Sequence, residues 1–401
     1  MSFYIHKSIL GTTKSLVFNE DEFFWSSTPS ADYSLGNTSE DVRVEDLAIL
    51  LGKDLDLTIG SEPQVRAFTK CLGLSKDEIC WPMALSPENF RNRVQKINSN
   101  VSEIICDYEK TNYDKTYRVT RKFLRGLSRA SIDSSKIRNY IEECVSGPSV
   151  ISTLKSFLPT KGESLASPIE YTHVSTSTGR LVVKSGPSIL TLPAANRDIL
   201  KSSTGGKIFQ VDFVSLEPRV VLYLMGSSAP DDIYSHIQTK LFHDHVDRKT
   251  VKLATLSALY GSSYKSLSKL TGSDQTSKNL IKRVREYFNL HQLEAVLTDI
   301  MQGQGQIMNH FGRPLRIDDP RPNILVSHFV QSTAVDTALL GFNSLMKVLT
   351  PLKVKPIYVI HDAVVVDVPK DAIDKFNEMC DKGVDLELGH FKFDVTQLCS
   401  K

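Results

Sequence analysis

The sequence lacks a CxxC pair: Cys71, Cys80, Cys106, Cys144, Cys380 and Cys399 are scattered, which argues against a zinc ribbon or a disulfide framework and fits a reducing compartment. No apolar run approaches the ~20 residues that span a bilayer, and no signal-peptide core follows the start, so no membrane partner is expected. Repeats and low-complexity tracts are absent too. Charge of one sign is not in excess, since the formal net charge is +2. A nucleic-acid footprint would therefore have to lie in the local distribution of charge.

What is present is ordinary globular composition, 41% hydrophobic and 23% charged over 401 residues, enough for two or more cores. The near-neutral average conceals a contrast. From Met1 to Gly60 ten acidic residues stand against four basic ones, whereas Lys110 to Arg138 is strongly basic and includes Arg121, Lys122 and Arg125. Ser86-Pro87 supplies an N-cap and a first-turn proline, after which Phe90, Val94, Ile97, Val101, Ile104 and Tyr108 recur at helical spacing. Beyond the basic stretch, Ile137, Ile141 and Val145 predict a further helix that ends at Gly147-Pro148. Read from the residues alone, the basic stretch is equally a DNA clamp or a solvated face.

Ile208 to Phe213 reads as a buried strand delivering Asp212, with helix-compatible sequence behind it. Asp247–Ser262 and Thr276–Met301 read as helix. Two β-rich runs, Pro356 to Ile360 and Ala363 to Val368, meet at His361-Asp362, a turn without the usual Gly or Asn. On the predicted helix Arg248, Lys252, Leu256 and Tyr260 follow at i+4 and form one stripe, with cations near the N-terminus, where a triphosphate is favoured, and an aromatic further along. Val251, Ala254 and Ala258 form a packing stripe. Taken singly, each acid suits a cap and the helix suits an ordinary surface. Gly11 to Ser15 lacks phosphate-loop glycine spacing, Gly303-Gln304-Gly305 is no dinucleotide fingerprint, and His243-Asp244-His245 suits a solvent-facing loop better than a zinc site.

Taken together, Val211-Asp212-Phe213-Val214-Ser215-Leu216-Glu217-Pro218-Arg219, Arg248-x3-Lys252-x7-Tyr260-Gly261 and Val359-Ile360-His361-Asp362-Ala363-Val364 resemble motifs A, B and C of the family A, DNA polymerase I-like enzymes, in the family's order. Thr178-Gly179-Arg180-Leu181, Phe311-Gly312-Arg313 and Gln331-Ser332-Thr333-Ala334 add further matches, and the resemblance covers the chain from about Pro148 onward.

The resemblance implies an α+β right-hand fold with an antiparallel palm sheet, helical fingers and a helical thumb. It implies an N-terminal segment over 1–85, thumb over 86–159, palm over 160–222 and 325–401, and fingers over 223–324. The implied activity is template-directed DNA polymerisation, adding deoxynucleoside triphosphates to the 3′ end of a primer-template DNA with two Mg²⁺ ions. Asp212, Phe213 and Asp362 form the implied metal set, with Lys252 as proton donor to pyrophosphate. Arg248, Lys252, Leu256, Tyr260, Glu217 and Tyr234 fall at nucleotide positions, and Arg180, Gln331, His361, Arg121, Lys122 and Arg125 at DNA positions.

Three departures stand out. Ala363 occupies the place of an auxiliary acid, Leu256 that of an aromatic near the sugar, and Tyr234 that of a phosphate-contacting His. The first 85 residues hold no Asp-x-Glu, so no proofreading exonuclease is expected. Their acidic character suits docking of a protein partner, such as a processivity factor or a separate exonuclease, or a small structural cap. A cytoplasmic location in a bacterium or a virus-infected host cell is expected, an organelle being disfavoured because the residues before Glu20 contain Lys7 and Lys14 but no Arg. A single-subunit RNA polymerase is the nearest rival: Ala363 fits it and Glu217 opposes it. A catalytically silent polymerase-like subunit is the other, and retention of both acids and both cations argues against it.

Overall fold

The computed structural model describes residues 2–19, 22–37, 42–75, 78–143, 147–160 and 163–398; Cys144, Val145 and Cys399 lie outside them. The other four cysteines are free thiols. Among the described residues no helix is long and apolar enough to cross a membrane. The chain divides into two compact units, Met1–Arg118 and Val119–Lys401.

The first unit is built on a four-stranded sheet in the order Glu22–Ser26, Ser15–Asn19, Ser2–Ile5, Tyr33–Leu35, antiparallel except for the last pair. Phe3 and Phe18 stack at 4.5 Å between neighbouring strands. The helix Pro87–Glu109 starts as its sequence dictates, with the Ser86 hydroxyl accepting from Asn89 N and proline at the first turn. Its stripe of Val94, Ile97, Val101, Ile104 and Tyr108 is buried, and it packs on the helix Val44–Leu51. This apolar stripe joins the helix to the unit Met1–Arg118.

In the second unit a four-stranded antiparallel sheet runs in the order Lys355–Ile360, Ala363–Val368, Lys207–Phe213, Phe393–Leu398. The 28-residue helix Pro322–Leu349 packs against it through Ala334, Ala338, Phe342 and Leu345, which share one core with Val211, Phe213 and Val364. Gly341 makes that approach close: a Cβ there would lie 2.4 Å from Phe213 Cζ. The outer strand of the hairpin is closed by Tyr171, whose hydroxyl donates to Val359 O at 2.8 Å and accepts from Val359 N at 3.1 Å. That edge is thereby blunted immediately before the His361-Asp362 turn.

A second core is helical. It joins Ile233–Phe242, Arg248–Tyr260, Asp274–Tyr287 and Leu290–Gln304 to the start of the long helix through Leu325, Val326 and Val330. The expected packing stripe of Val251, Ala254 and Ala258 is buried here. One expectation needs correction. The single helix over Thr276–Met301 is two, because Asn289 takes the left-handed conformation (φ 50°) between Phe288 and Leu290, both buried. The helix through Ile137 and Ile141 is described over Ser134–Glu142, and Gly147-Pro148 opens the next helix, Pro148–Lys155, as N-cap and first-turn proline.

Candidate active site

The site begins with strand alternation. Along Lys207–Phe213, Phe209, Val211 and Phe213 face the core, which puts Gln210 and Asp212 together on the other face. The Gln210 amide donates to both Asp212 oxygens at 3.1 and 2.9 Å and is itself held by Arg197, which donates to Gln210 Oε1 at 2.6 Å. Phe213 N donates to Asp362 O at 3.1 Å, tying this strand's end to the hairpin turn. Both neighbouring turns use left-handed non-glycine residues, Ser215 (φ 52°) and His361 (φ 54°). Such positions cost energy and persist where the surroundings fix them.

These elements enclose a cavity of about 970 Å³ onto which Asp212, Asp362, Glu217, Lys252 and Tyr260 converge. Arg180, Tyr234, Arg248, Leu256, Gln331, His361 and Phe213 also line it, so every residue expected at the metal and nucleotide positions reaches one space. The Tyr260 hydroxyl donates to Glu217 Oε1 at 2.6 Å, and the Arg180 guanidinium lies 5.7 Å from the Tyr260 ring centroid. Gln331, on the long helix, donates to Ser327 Oγ. Arg219 does not pair with Glu217; it is buried and bonds the carbonyls of Val214, Pro230 and Asp231.

Burial and mutual repulsion load the acids. The Asp362 carboxyl is pushed up to about 6, first by burial, then by Glu217 and Asp212, with Lys252 opposing. Asp212 is also raised, by burial and by Asp394, against the pull of Gln210 and Arg197. A crowd of half-buried carboxylates is a hard-oxygen donor set that a divalent cation would relieve. Among the described residues no three His, Cys, Asp or Glu side chains form a protein-only metal cage. Mg²⁺ does not require one, since it commonly takes one or two carboxylates and completes its octahedron with water and substrate phosphate. The Phe213 ring has no donor atom and packs on Phe342 and Phe393, so any part it takes in a metal set belongs to its main chain.

The raised Asp362 value also gives a stability prediction. An acid whose folded pKa lies above its ordinary 3.8 disfavours the charged form in the fold, so stability falls as pH rises from about 4 through 6 and stays reduced above that. Thermal melts in EDTA should show Asp362→Asn more stable than the parent at pH 8, with the difference closing near pH 4. An asparagine variant that melts lower at pH 8 would contradict this.

The site holds more than the sequence motifs pointed to. Asp394 is in register with Asp212 on the side opposite Ala363, so the three side chains share one face, and it lines the same cavity. Its sequence signal is a single acid in a short strand. Tyr234 is 5% exposed and lies beneath Arg248 and Lys252, at 5.4 and 5.8 Å from its ring centroid. Arg313 of the Phe311-Gly312-Arg313 match is buried and faces Asp336 at 3.8 Å, a structural pair inside the fold.

The expected DNA-binding trio splits. Lys122 and Arg125 are exposed on the helix Asp114–Arg125, but Arg121 is only 5% exposed. The helix turns Arg121 inward between buried Thr120 and Phe123, so it is not a surface phosphate contact as the sequence reading had it.

No family model matches the sequence, and no curated protein does. Among solved structures the fold is similar to the polymerase domain of Pol1 from M. smegmatis in complex with DNA primer-template and dNTP, with a TM-score of 0.64 over 99% of this chain and 94% of that one. At 11% identity this similarity concerns the fold. The chain has the expected mixed α+β fold, with antiparallel sheets and helical surroundings, and it matches that polymerase domain in fold.

Proposed function

We propose that the protein is a template-directed DNA polymerase that adds deoxynucleotides to a primer 3′ end by two-metal-ion nucleotidyl transfer. The observation that carries this reading is the convergence of Asp212, Asp362, Glu217, Arg248, Lys252 and Tyr260 on one cavity, from elements far apart in the chain. In this reading the sheet is the palm, the helices around Arg248–Tyr260 are the fingers, and the helices after Ser86 belong to the thumb.

Asp212 and Asp362, with the Phe213 main chain, would hold Mg²⁺, which supplies charge stabilisation for the attacking and leaving oxygens of an in-line displacement. The primer 3′-oxygen forms a bond to the α-phosphorus as the bond to pyrophosphate breaks. Arg248 and Lys252 neutralise the triphosphate, and Lys252 gives the departing pyrophosphate its proton. Tyr260 supports the nascent base pair and holds Glu217, while Arg180 and Gln331 contact the primer-template beside it. Leu256 and His361 also line the cavity; they would face the nucleotide and the primer respectively. Template bases supply sequence; the protein supplies geometry.

Primer extension with deoxy- and ribonucleotides side by side tests the proposal, and absence of template-dependent incorporation of either would overturn it. For the DNA grip, neutralising the exposed pair Lys122 and Arg125 should weaken primer-template affinity and reduce the salt slope by up to about two counterions, with nucleotide affinity unchanged. An unchanged slope would show this basic helix to be a solvated face.

A further inference from the structure

We propose that Asp232 is a positioning residue: its carboxylate holds the Arg248 guanidinium above the Tyr234 ring, so that an incoming triphosphate meets a cation already aimed. The inference rests on the phosphate role given to Arg248 above. Arg248 lies in the first turn of its helix and is half-exposed, a place where a long side chain would otherwise sample many rotamers. Two contacts remove that freedom. Arg248 Nε donates to Asp232 Oδ2 at 2.9 Å and Nη2 to Oδ1 at 3.2 Å, a two-point fork that fixes the guanidinium plane. The Tyr234 ring, two residues on from Asp232, lies under the same guanidinium and under the Lys252 ammonium.

Asp232 is held rigidly enough to act as an anchor. It caps the helix Ile233–Phe242, accepting from Tyr234 N and Ser235 N at 3.0 and 3.1 Å and from the Ser235 hydroxyl at 2.8 Å. Nη1 takes no part in the fork. The pair is too exposed to add much stability, so its consequence should appear in nucleotide affinity.

The helix cap and the positioning role separate in Asp232→Ser, because serine caps well but is neutral and too short to reach Arg248. Melting temperature, kcat on an extendable primer-template and nucleotide Kd on a dideoxy-terminated one are the readouts. We expect a near-parental melting temperature, a Kd raised ~10-fold and kcat changed less than ~2-fold. Asp232→Glu should recover part of the affinity, and Asp232→Ser should add nothing in an Arg248→Ala background. An unchanged or tighter Kd in Asp232→Ser, alongside weakened binding in Arg248→Ala, would overturn the positioning role alone. Unchanged binding in Arg248→Ala would overturn the phosphate site and this inference with it.

Discussion

Replacing either Asp212 or Asp362 with asparagine is expected to lower primer extension by at least ~10³-fold, a barrier increase of about 4 kcal/mol, while primer-template affinity stays near the parental value. Asparagine keeps the shape and one acceptor but removes the charge that a divalent cation needs. For Asp212 the supporting contact is also lost in kind, since the Gln210 amide that donates to both carboxylate oxygens would face an amide with a single acceptor. For Asp362 the charge removed is one that burial, Glu217 and Asp212 make costly, so the variant should fold at least as well as the parent. Loss of activity with retained or raised thermal stability is the signature sought. Near-normal turnover in either variant would sink the metal assignment, and a collapse in DNA binding would move the acids' role from chemistry to structure.

Glu217→Ala is expected to raise ribonucleotide incorporation relative to deoxynucleotide by ~10²-fold or more, about 2.7 kcal/mol of lost discrimination. The geometry gives the reason. Glu217 stands in the first turn of the helix Leu216–Leu224, lines the cavity, and is held there by the Tyr260 hydroxyl at 2.6 Å. Burial and Glu217 itself push that hydroxyl well up, so it remains a donor at neutral pH. In the proposed reading, a carboxylate tethered beside the sugar would leave no room for a 2′-hydroxyl. Tyr260→Phe should relax discrimination in the same direction by a smaller factor, because the side chain remains but its tether is gone. Measuring kcat/KM for both nucleotide types on one primer-template decides the matter: equal losses would remove the gating role, and a parental preference for ribonucleotides would favour an RNA polymerase.

The parts of this site that could be read from sequence are those carried by the motif resemblance and, for their elements and faces, by local periodicity. A hydrophobic run ending in Asp212, a stripe of Arg248, Lys252, Leu256 and Tyr260, and two β-rich runs around His361-Asp362 each declare an element and a face within a dozen residues. What they contact is not local. Asp394 reaches Asp212 through strand register, Arg197 steadies it through Gln210, and Asp232 finds Arg248 across two helices. None of these pairings leaves a trace in spacing. Arg121 shows the same limit from the other side, because a basic run records charge but not which helical face turns inward. The N-terminal sheet was not anticipated either; its strands are three to five residues long, too short for alternation to speak.

The order of strands in the second sheet has a consequence for how the protein is made. The strand Lys207–Phe213 lies between Ala363–Val368 and Phe393–Leu398, so both of its partners follow it by about 150 residues or more along the chain. At translation rates of about 5–20 residues per second it waits roughly eight to thirty seconds with both edges unpaired. Tyr171, made earlier still, waits likewise for Val359, 188 residues downstream. Ribosome-bound chains stalled before the hairpin should thus expose an apolar strand that finished chains bury, and chaperone capture should peak on those intermediates and fall once the C-terminal strands emerge.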